Sequence, residues 1–392
     1  MKRIKATIVN CSFLILITMT AIFTVGCKDD AVILNKKETT VTESKDNIPD
    51  NENTTSKDDV TTESQQETET TQRYIPISLA VVGDVDMSDR IDTAYKESGL
   101  QGVLSDNIIN VFQNSDITAI NHEYVASDHD DSHKVDYELW YYKHPTYREQ
   151  YLKEMGVDVV TLANNHTMDY GEEGLIDTME ALRNVGISYV GVGKDLNEAK
   201  SAYIREINGK KIAIVAANRV VPRVDWYAGE NKAGHMTTYE GTDRYGIIKD
   251  EISRLKNDEK CDLVVMLVHF GENQDPEIKD YEYNCAHGYV DAGADVVIGT
   301  HTHTLQGAEI YNGKYIFYGV GNFMFEGYAV DTVVVQLYLC EDNTVIAKLM
   351  PCKSQGFKTW DVEGYEARQI FDTITEMSVN VSISDEGIVM KK

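Results

Sequence analysis

A chain of 392 residues with 42% hydrophobic content is long enough for one large domain or two ordinary ones and can bury a substantial core. Its formal charge of −27 argues against nucleic acid as a partner, because phosphate binding needs the opposite field. The same charge repels a polyanionic ligand, except where metal ions invert the local field.

The amino terminus carries three basic residues within 1–5 and then a largely apolar run over 13–23, ending in Thr24-Val25-Gly26-Cys27. This is the pattern of a secretory signal over 1–27. A Cys directly after Gly26 looks like a bacterial lipobox, in which Cys27 is lipidated and becomes the mature amino terminus, although Thr24 stands where Leu is usual. A plain signal peptide and a short uncleaved anchor are the alternatives. Residues 28–73 are Thr, Ser, Asp, Glu, Asn and Lys with few large apolar side chains, and such a stretch cannot bury enough surface to offset its ordering entropy. We expect a disordered acidic tether, holding a domain at the extracellular face of the bacterial cell membrane. The remaining cysteines, Cys261, Cys285, Cys340 and Cys352, have no C-x-x-C spacing. A Cys340–Cys352 pair across a hairpin and buried free thiols both fit.

The globular part starts near Tyr74. A mostly apolar strand over 77–82 runs into Gly83-Asp84-Val85-Asp86-Met87, and a helix over 99–112 leads to a strand over 117–120 that ends in Asn121-His122-Glu123. Residues 127–144 are polar and aromatic, a loop in which Trp140, Tyr141 and Tyr142 either line a groove or cover the core. A helix over 147–155 stops at Gly156, and a buried strand over 157–162 ends in Ala163-Asn164-Asn165-His166. The next helix, over 172–184, has Leu175, Met179 and Leu182 on one face and Gly186 beyond its end. Strands over 187–192, 202–207 and 211–216 follow, the last two joined by Asn208-Gly209. Residues 218–245 are irregular, and we expect a long surface loop over the site. A helix over 245–257, a strand over 262–268 ending in His269-Phe270-Gly271-Glu272, and a helix over 278–292 lead to the apolar run 296–298. Gly299 ends that run, and His301 and His303 stand one residue apart just beyond it. In extended backbone such neighbours point the same way. Two strands over 332–340 and 344–351 and a helix over 365–377 close the chain. Strands alternating with helices predict parallel β with antiparallel additions.

Five strand ends therefore carry metal-ligand chemistry: Asp84 with Asp86, Glu123, Asn165-His166, His269, and His301 with His303. In open α/β sheets the carboxyl ends of strands are where sites lie. The order resembles that of calcineurin-like metallophosphoesterases. More specifically, GDVDM at 83–87, NHE at 121–123, LANNHTMDYGEEG at 162–174, HFGE at 269–272 and GTHTHTLQGAEIYNGKYIFYGVGNF at 299–323 resemble the bacterial CapA family of capsule and poly-γ-glutamate synthesis proteins. The family usually has NLE where this chain has His122 in the middle, and as the residue between two inward-facing neighbours His122 is expected to face away.

The resemblance implies a metallophosphatase-like, calcineurin-like layered α/β sandwich with a mixed sheet core, over 74–330, with 331–392 completing the same domain. It implies divalent metal ions, a pair of manganese, zinc or iron, held by Asp84, Glu123, Asn165, His269, His301 and His303. Asp86 either joins them or sits outward. The implied partners are an anionic polymer such as poly-γ-glutamate, membrane synthase subunits, and the membrane itself through the lipid anchor. The chemistry expected is metal-assisted hydrolysis or transfer at a γ-glutamyl amide, with His166 or Glu272 as the acid. A phosphoesterase and a non-catalytic polymer-binding or scaffold lipoprotein are the alternatives.

Overall fold

Period-two burial explains the centre of the molecule. Along the Ile77–Val85 strand, Ile77, Leu79 and Val81 enter one apolar cluster while Ala80 and Val82 enter another. The first cluster also holds Ile212, Ile214, Leu263, Val265, Val296 and Ile298 from a second sheet, so two sheets pack face to face across it. The computed structural model describes residues 74–136 and 140–392, together with the backbone of two short antiparallel strands, Thr24–Cys27 and Asp30–Ile33. The signal and lipobox assigned to 1–27 and the tether assigned to 28–73 otherwise lie outside the described residues.

The first sheet runs Lys358–Asp361, Val345–Gln355, Val330–Leu339, Ile77–Val85, Ile117–His122, Val159–Thr161, Ser188–Val190, with Asn322–Met324 added beside Ile77–Val85. It is parallel from Ile77–Val85 through Ser188–Val190 and antiparallel on the other side, except that Asn322–Met324 runs parallel to Ile77–Val85. The second runs Tyr203–Ile207, Lys210–Asn218, Leu263–His269, Val296–Thr300, Lys314–Phe317, Ala308–Tyr311, with a parallel centre and antiparallel edges. Helices cover the outer faces. Ile108, Phe112, Leu152, Leu175 and Met179 pack on the first sheet, and Ile248, Ile252, Leu255 and Tyr289 on the second. This is the layered α/β sandwich with a mixed sheet core that the resemblance implies. Both sheets and the C-terminal strands and helix lie in one compact unit, Pro76–Lys392.

Four local expectations differ. The helix expected over 99–112 is two helices, Leu100–Val103 and Asp106–Asn114, because Leu104 and Ser105 take extended backbone. A helix not foreseen, Asp89–Ser98, buries little beyond Ile91 and Asp92, too narrow an apolar face to show as a period. The stretch over 218–245 is not a surface loop. Trp226, Ala228, His235, Met236 and Thr238 are buried, and Gly234–His235 pairs with Val192–Gly193. Cys340 and Cys352 do not pair, because Cys352 lies opposite Thr332 while Cys340 follows the Leu339–Val345 pairing at the far end of that hairpin. Cys261, Cys285 and Cys352 are buried free thiols.

Candidate metal centre

Neighbouring strands end level, which brings their last residues to one edge. Asp84 is in register with Asn121 on one side and Asn322 on the other, and His269 is in register with Asn218 and Thr300. Two glycines permit the close approach this requires. A Cβ at Gly83 would sit 2.0 Å from the Gly321 carbonyl oxygen, and one at Gly299 would sit 1.9 Å from that of Tyr318.

Asp84 and Glu123 are fully buried. The Asn121 side-chain amide donates to Asp84 Oδ1 at 2.7 Å and lies 3.4 Å from Glu123 Oε2. The His301 N–H lies 3.3 Å from Asp84 Oδ2, as does His303 Nδ1. Asn322 Oδ1 also takes His303 Nδ1, at 2.6 Å. His303 Nε2 is thereby left facing Glu123 Oε1, 4.0 Å away. His269 Nε2 is 2.7 Å from Asn165 Oδ1 and 3.6 Å from Glu123 Oε1, while its Nδ1 meets Thr300 Oγ1 at 2.9 Å.

Contrary to the extended backbone expected for the H-x-H pair, His301 and His303 both have positive φ, 95° and 56°. They lie in the turn after the Val296–Thr300 strand. Such conformations are costly for non-glycine residues and cluster at functional sites.

The charge states follow from burial. Burial raises the Asp84 carboxyl, but bonding and charge from His303 and the Asn121 amide outweigh it and hold the group below the usual range. Glu123 is pushed well above it by burial and then by Asp84. Burial and the neighbouring imidazoles keep His269 far below the usual histidine value, and burial with His303 lowers His301 to about 3. His303 is raised, because Asp84 outweighs the cost of burial. Like charge thus crowds the carboxylates while two imidazoles stay neutral, the state in which nitrogen ligates a metal.

These residues fit a divalent metal ion. Glu123 Oε1 and His301 Nδ1 are buried and have no hydrogen-bond partner among the described residues. With His303 they form a group whose ligand atoms all lie within 4.8 Å of one another. Buried polar atoms are rarely left unpaired, and a cation satisfies both.

The family described as "Bacterial capsule synthesis protein PGA_cap" matches residues 78–327. The chain belongs to the bacterial capsule synthesis protein family. Over 293 residues it is 29% identical to the capsule biosynthesis protein CapA of Bacillus anthracis, covering 71% of this chain and 68% of that one. Over 274 residues it is 30% identical to the PGA biosynthesis protein CapA of Bacillus subtilis (strain 168), covering 68% and 69%. Among solved structures it is similar to the NAD nucleotidase NadN of Haemophilus influenzae, at 12% identity and a TM-score of 0.45 over 80% of this chain and 65% of that one.

In this family member, other residues singled out from the sequence take different places. Asp86 is buried but paired with His144 Nε2, whose Nδ1 accepts from Arg148 Nη1 at 3.1 Å. It is neither on the surface nor in the Glu123–His301–His303 group. His122 points away, with Nε2 3.1 Å from both Glu149 oxygens. His166 is buried, its Nδ1 3.0 Å from Asp169 Oδ2 and its ring edge-on to Tyr142 at 4.5 Å between centroids. Glu272 is exposed on the turn after His269, where its carbonyl accepts from Asp275 N–H. Asn121, Asn164, Asp169 and Asn322 also serve the site without standing out as ligands in the sequence. Asn121 had a signal, since it stands two residues before Glu123 and so on the same side of an extended chain.

Proposed function

We propose that this protein acts on an anionic γ-glutamyl polymer in capsule synthesis, export or release. It would do so with divalent metal held by Asp84, Glu123, Asn165, His269, His301 and His303. The observation that carries the reading is the pair of unpartnered buried atoms, Glu123 Oε1 and His301 Nδ1, converging with His303. Two carboxylates, an amide oxygen and three imidazoles suit manganese, zinc or iron. Such a metal supplies Lewis acidity toward an acyl or phosphoryl oxygen and lowers the pKa of water. His166, fixed by Asp169 and Tyr142, is the group poised to move a proton at Nε2. Glu272, exposed on the turn after His269, is the less firmly positioned of the two proton donors suggested by the sequence. Cationic metal also explains how an acidic chain would draw a polymer of carboxylates. Anchoring at Cys27 on the outer face of the membrane, beside membrane subunits of a synthase, belongs to the same proposal and rests on the leader sequence.

The test is metal content of the chain purified without chelator, beside an Asp84→Ala, His301→Ala double variant, followed by assay on γ-glutamyl oligomers and phosphoesters. Near-stoichiometric metal lost in the variant, with turnover of the γ-glutamyl oligomer, supports the reading. No metal after reconstitution removes the hydrolase and leaves a polymer-binding or scaffolding protein.

A further inference from the structure

Beside the centre lies an open groove of about 610 Å³. One ring layer joins it to the centre. Tyr142, in the groove wall, packs edge-on against His166 and, at 5.2 Å, against Phe325, which in turn lies 5.1 Å from the His303 ring.

Two features of its lining bear on what it holds. Two large aromatic side chains stand in water along it, Trp140 at 70% and Tyr328 at 93% exposure. A ring of that size held in solvent forgoes about 1.5 to 3 kcal/mol of burial, and aromatic groups left out in a polar cleft mark a recognition surface. No aliphatic side chain is among the described lining residues, so a lipid tail or a hydrophobic peptide side chain finds no complementary wall.

Charge narrows the choice further. Arg90 Nε is on Glu326 at 3.0 Å and Lys143 Nζ on Asp131 at 2.7 Å. Arg148 engages Asp89 and His144, and His144 engages Asp86. The lining thus opposes the carboxylates of Asp86, Asp89 and Glu326 to the two permanent cations Arg90 and Lys143. A polyanion would have to break these pairs and then face the carboxylates. A neutral ligand rich in hydroxyl groups would not.

We infer that this groove binds a neutral glycan strand next to the metal centre. Pyranose rings present flat C–H faces, which stack on Trp140 and Tyr328. Their hydroxyl groups donate to the carboxylates already held in place by Arg90, Arg148 and His144. The glycan site needs no metal, so it stands or falls independently of the polymer chemistry proposed above.

Tryptophan fluorescence tests this directly. Trp226 is buried and Trp360 partly so, which leaves Trp140 as the residue whose emission reports the groove. The full chain is titrated with cellohexaose, chitohexaose and a γ-linked glutamate hexamer, with and without EDTA. A saturable change with a neutral hexasaccharide, unaltered by EDTA and not competed by the glutamate hexamer, is expected. By calorimetry, Trp140→Ala and Tyr328→Ala should each weaken binding roughly tenfold, the worth of one stacked ring. Trp140→Phe should stay within about threefold, because it keeps a ring face. Exposed positions leave the fold alone, so all three variants should keep the parent melting temperature. The inference is overturned if neither saccharide binds, if Trp140→Ala binds as the parent does, or if the glutamate hexamer binds in a Trp140-dependent way.

Discussion

Asn164 Nδ2 donates to Asn121 Oδ1 at 3.0 Å, and this bond leaves the Asn121 amide one way to face the carboxylates. Its nitrogen turns to Asp84 at 2.7 Å and toward Glu123 at 3.4 Å, holding two acids together before any cation arrives. Asn121→Ala should therefore loosen the site as well as the fold. We expect a loss of about 1 to 3 kcal/mol in urea unfolding of the metal-free chain, the cost of orphaned buried partners. Metal affinity should fall roughly tenfold or more, as for other residues that orient ligands. Unchanged affinity by competition with a chromophoric chelator would show that Asp84 and Glu123 need no clamp.

The histidine beside Asn121 serves the core instead. His122 Nε2 shares the buried Glu149 carboxylate with the Tyr124 hydroxyl, which donates to Glu149 Oε1 at 2.7 Å, and the His122 and Tyr124 rings stack at 3.7 Å. Glu149→Ala strands both partners in the interior and should cost about 3 to 5 kcal/mol. Metal content of the folded fraction should be unchanged. Loss of metal in Glu149→Ala, measured by atomic emission on the folded fraction, would show that the His122–Glu149 pair supports the centre as well as the core.

Residue chemistry at strand ends was legible because it depends only on local pattern. Apolar runs with a period of two marked the strands, and Asp84, Glu123, Asn165, His269, His301 and His303 each stand at or just past a strand end. What stayed hidden depends on residues far away in the chain. The partner of Asp86, His144, is 58 positions on, and nothing near Asp86 says which way its carboxylate turns. The interior course of 218–245 rests on polar pairs such as Asn218 with His235, and the sequence presents those only as polarity. The left-handed backbone at His301 and His303 has no signature in residue type, since strand-like neighbours precede both.

Acid should unfold this protein partly through His235. It is fully buried, and burial lowers its pKa to about 3, against about 6.5 in the unfolded chain. The unfolded state then binds the proton that the native state refuses, so this contribution is fully present above about pH 6.5 and is lost as pH falls toward 3. Between pH 7 and pH 5 the loss amounts to about 2 kcal/mol. His235→Gln, whatever its stability at neutral pH, should flatten that slope in urea titrations. A parent-like slope in the variant would assign the acid sensitivity elsewhere.

Metal uptake should in turn be steeply pH-dependent. Burial and Asp84 hold the Glu123 proton well above the usual carboxyl range, and Asp84 raises His303 against the cost of burial. Both groups must shed protons to ligate. Apparent affinity should therefore fall as pH drops, and calorimetry in buffers of different ionisation enthalpy should detect proton release on binding. A heat independent of buffer would mean that neither group ligates.

Under the proposed function, Asp169 offers a way to tell catalysis from metal binding. It meets His166 Nδ1 at 3.0 Å through Oδ2, and the same oxygen accepts the Tyr142 N–H at 3.0 Å. This fixes the ring with Nε2 free to exchange a proton while leaving the Glu123–His301–His303 group untouched. Asp169→Asn keeps the size and one hydrogen bond but offers His166 a weaker and differently directed partner. Turnover of the γ-glutamyl oligomer should fall roughly 10- to 100-fold with metal stoichiometry intact. The fall should appear in kcat more than in KM, since the residue orients a proton-transfer group and does not hold substrate. Equal losses of metal and activity would make Asp169 a support of the centre, and His166 would then have no separate role in proton transfer.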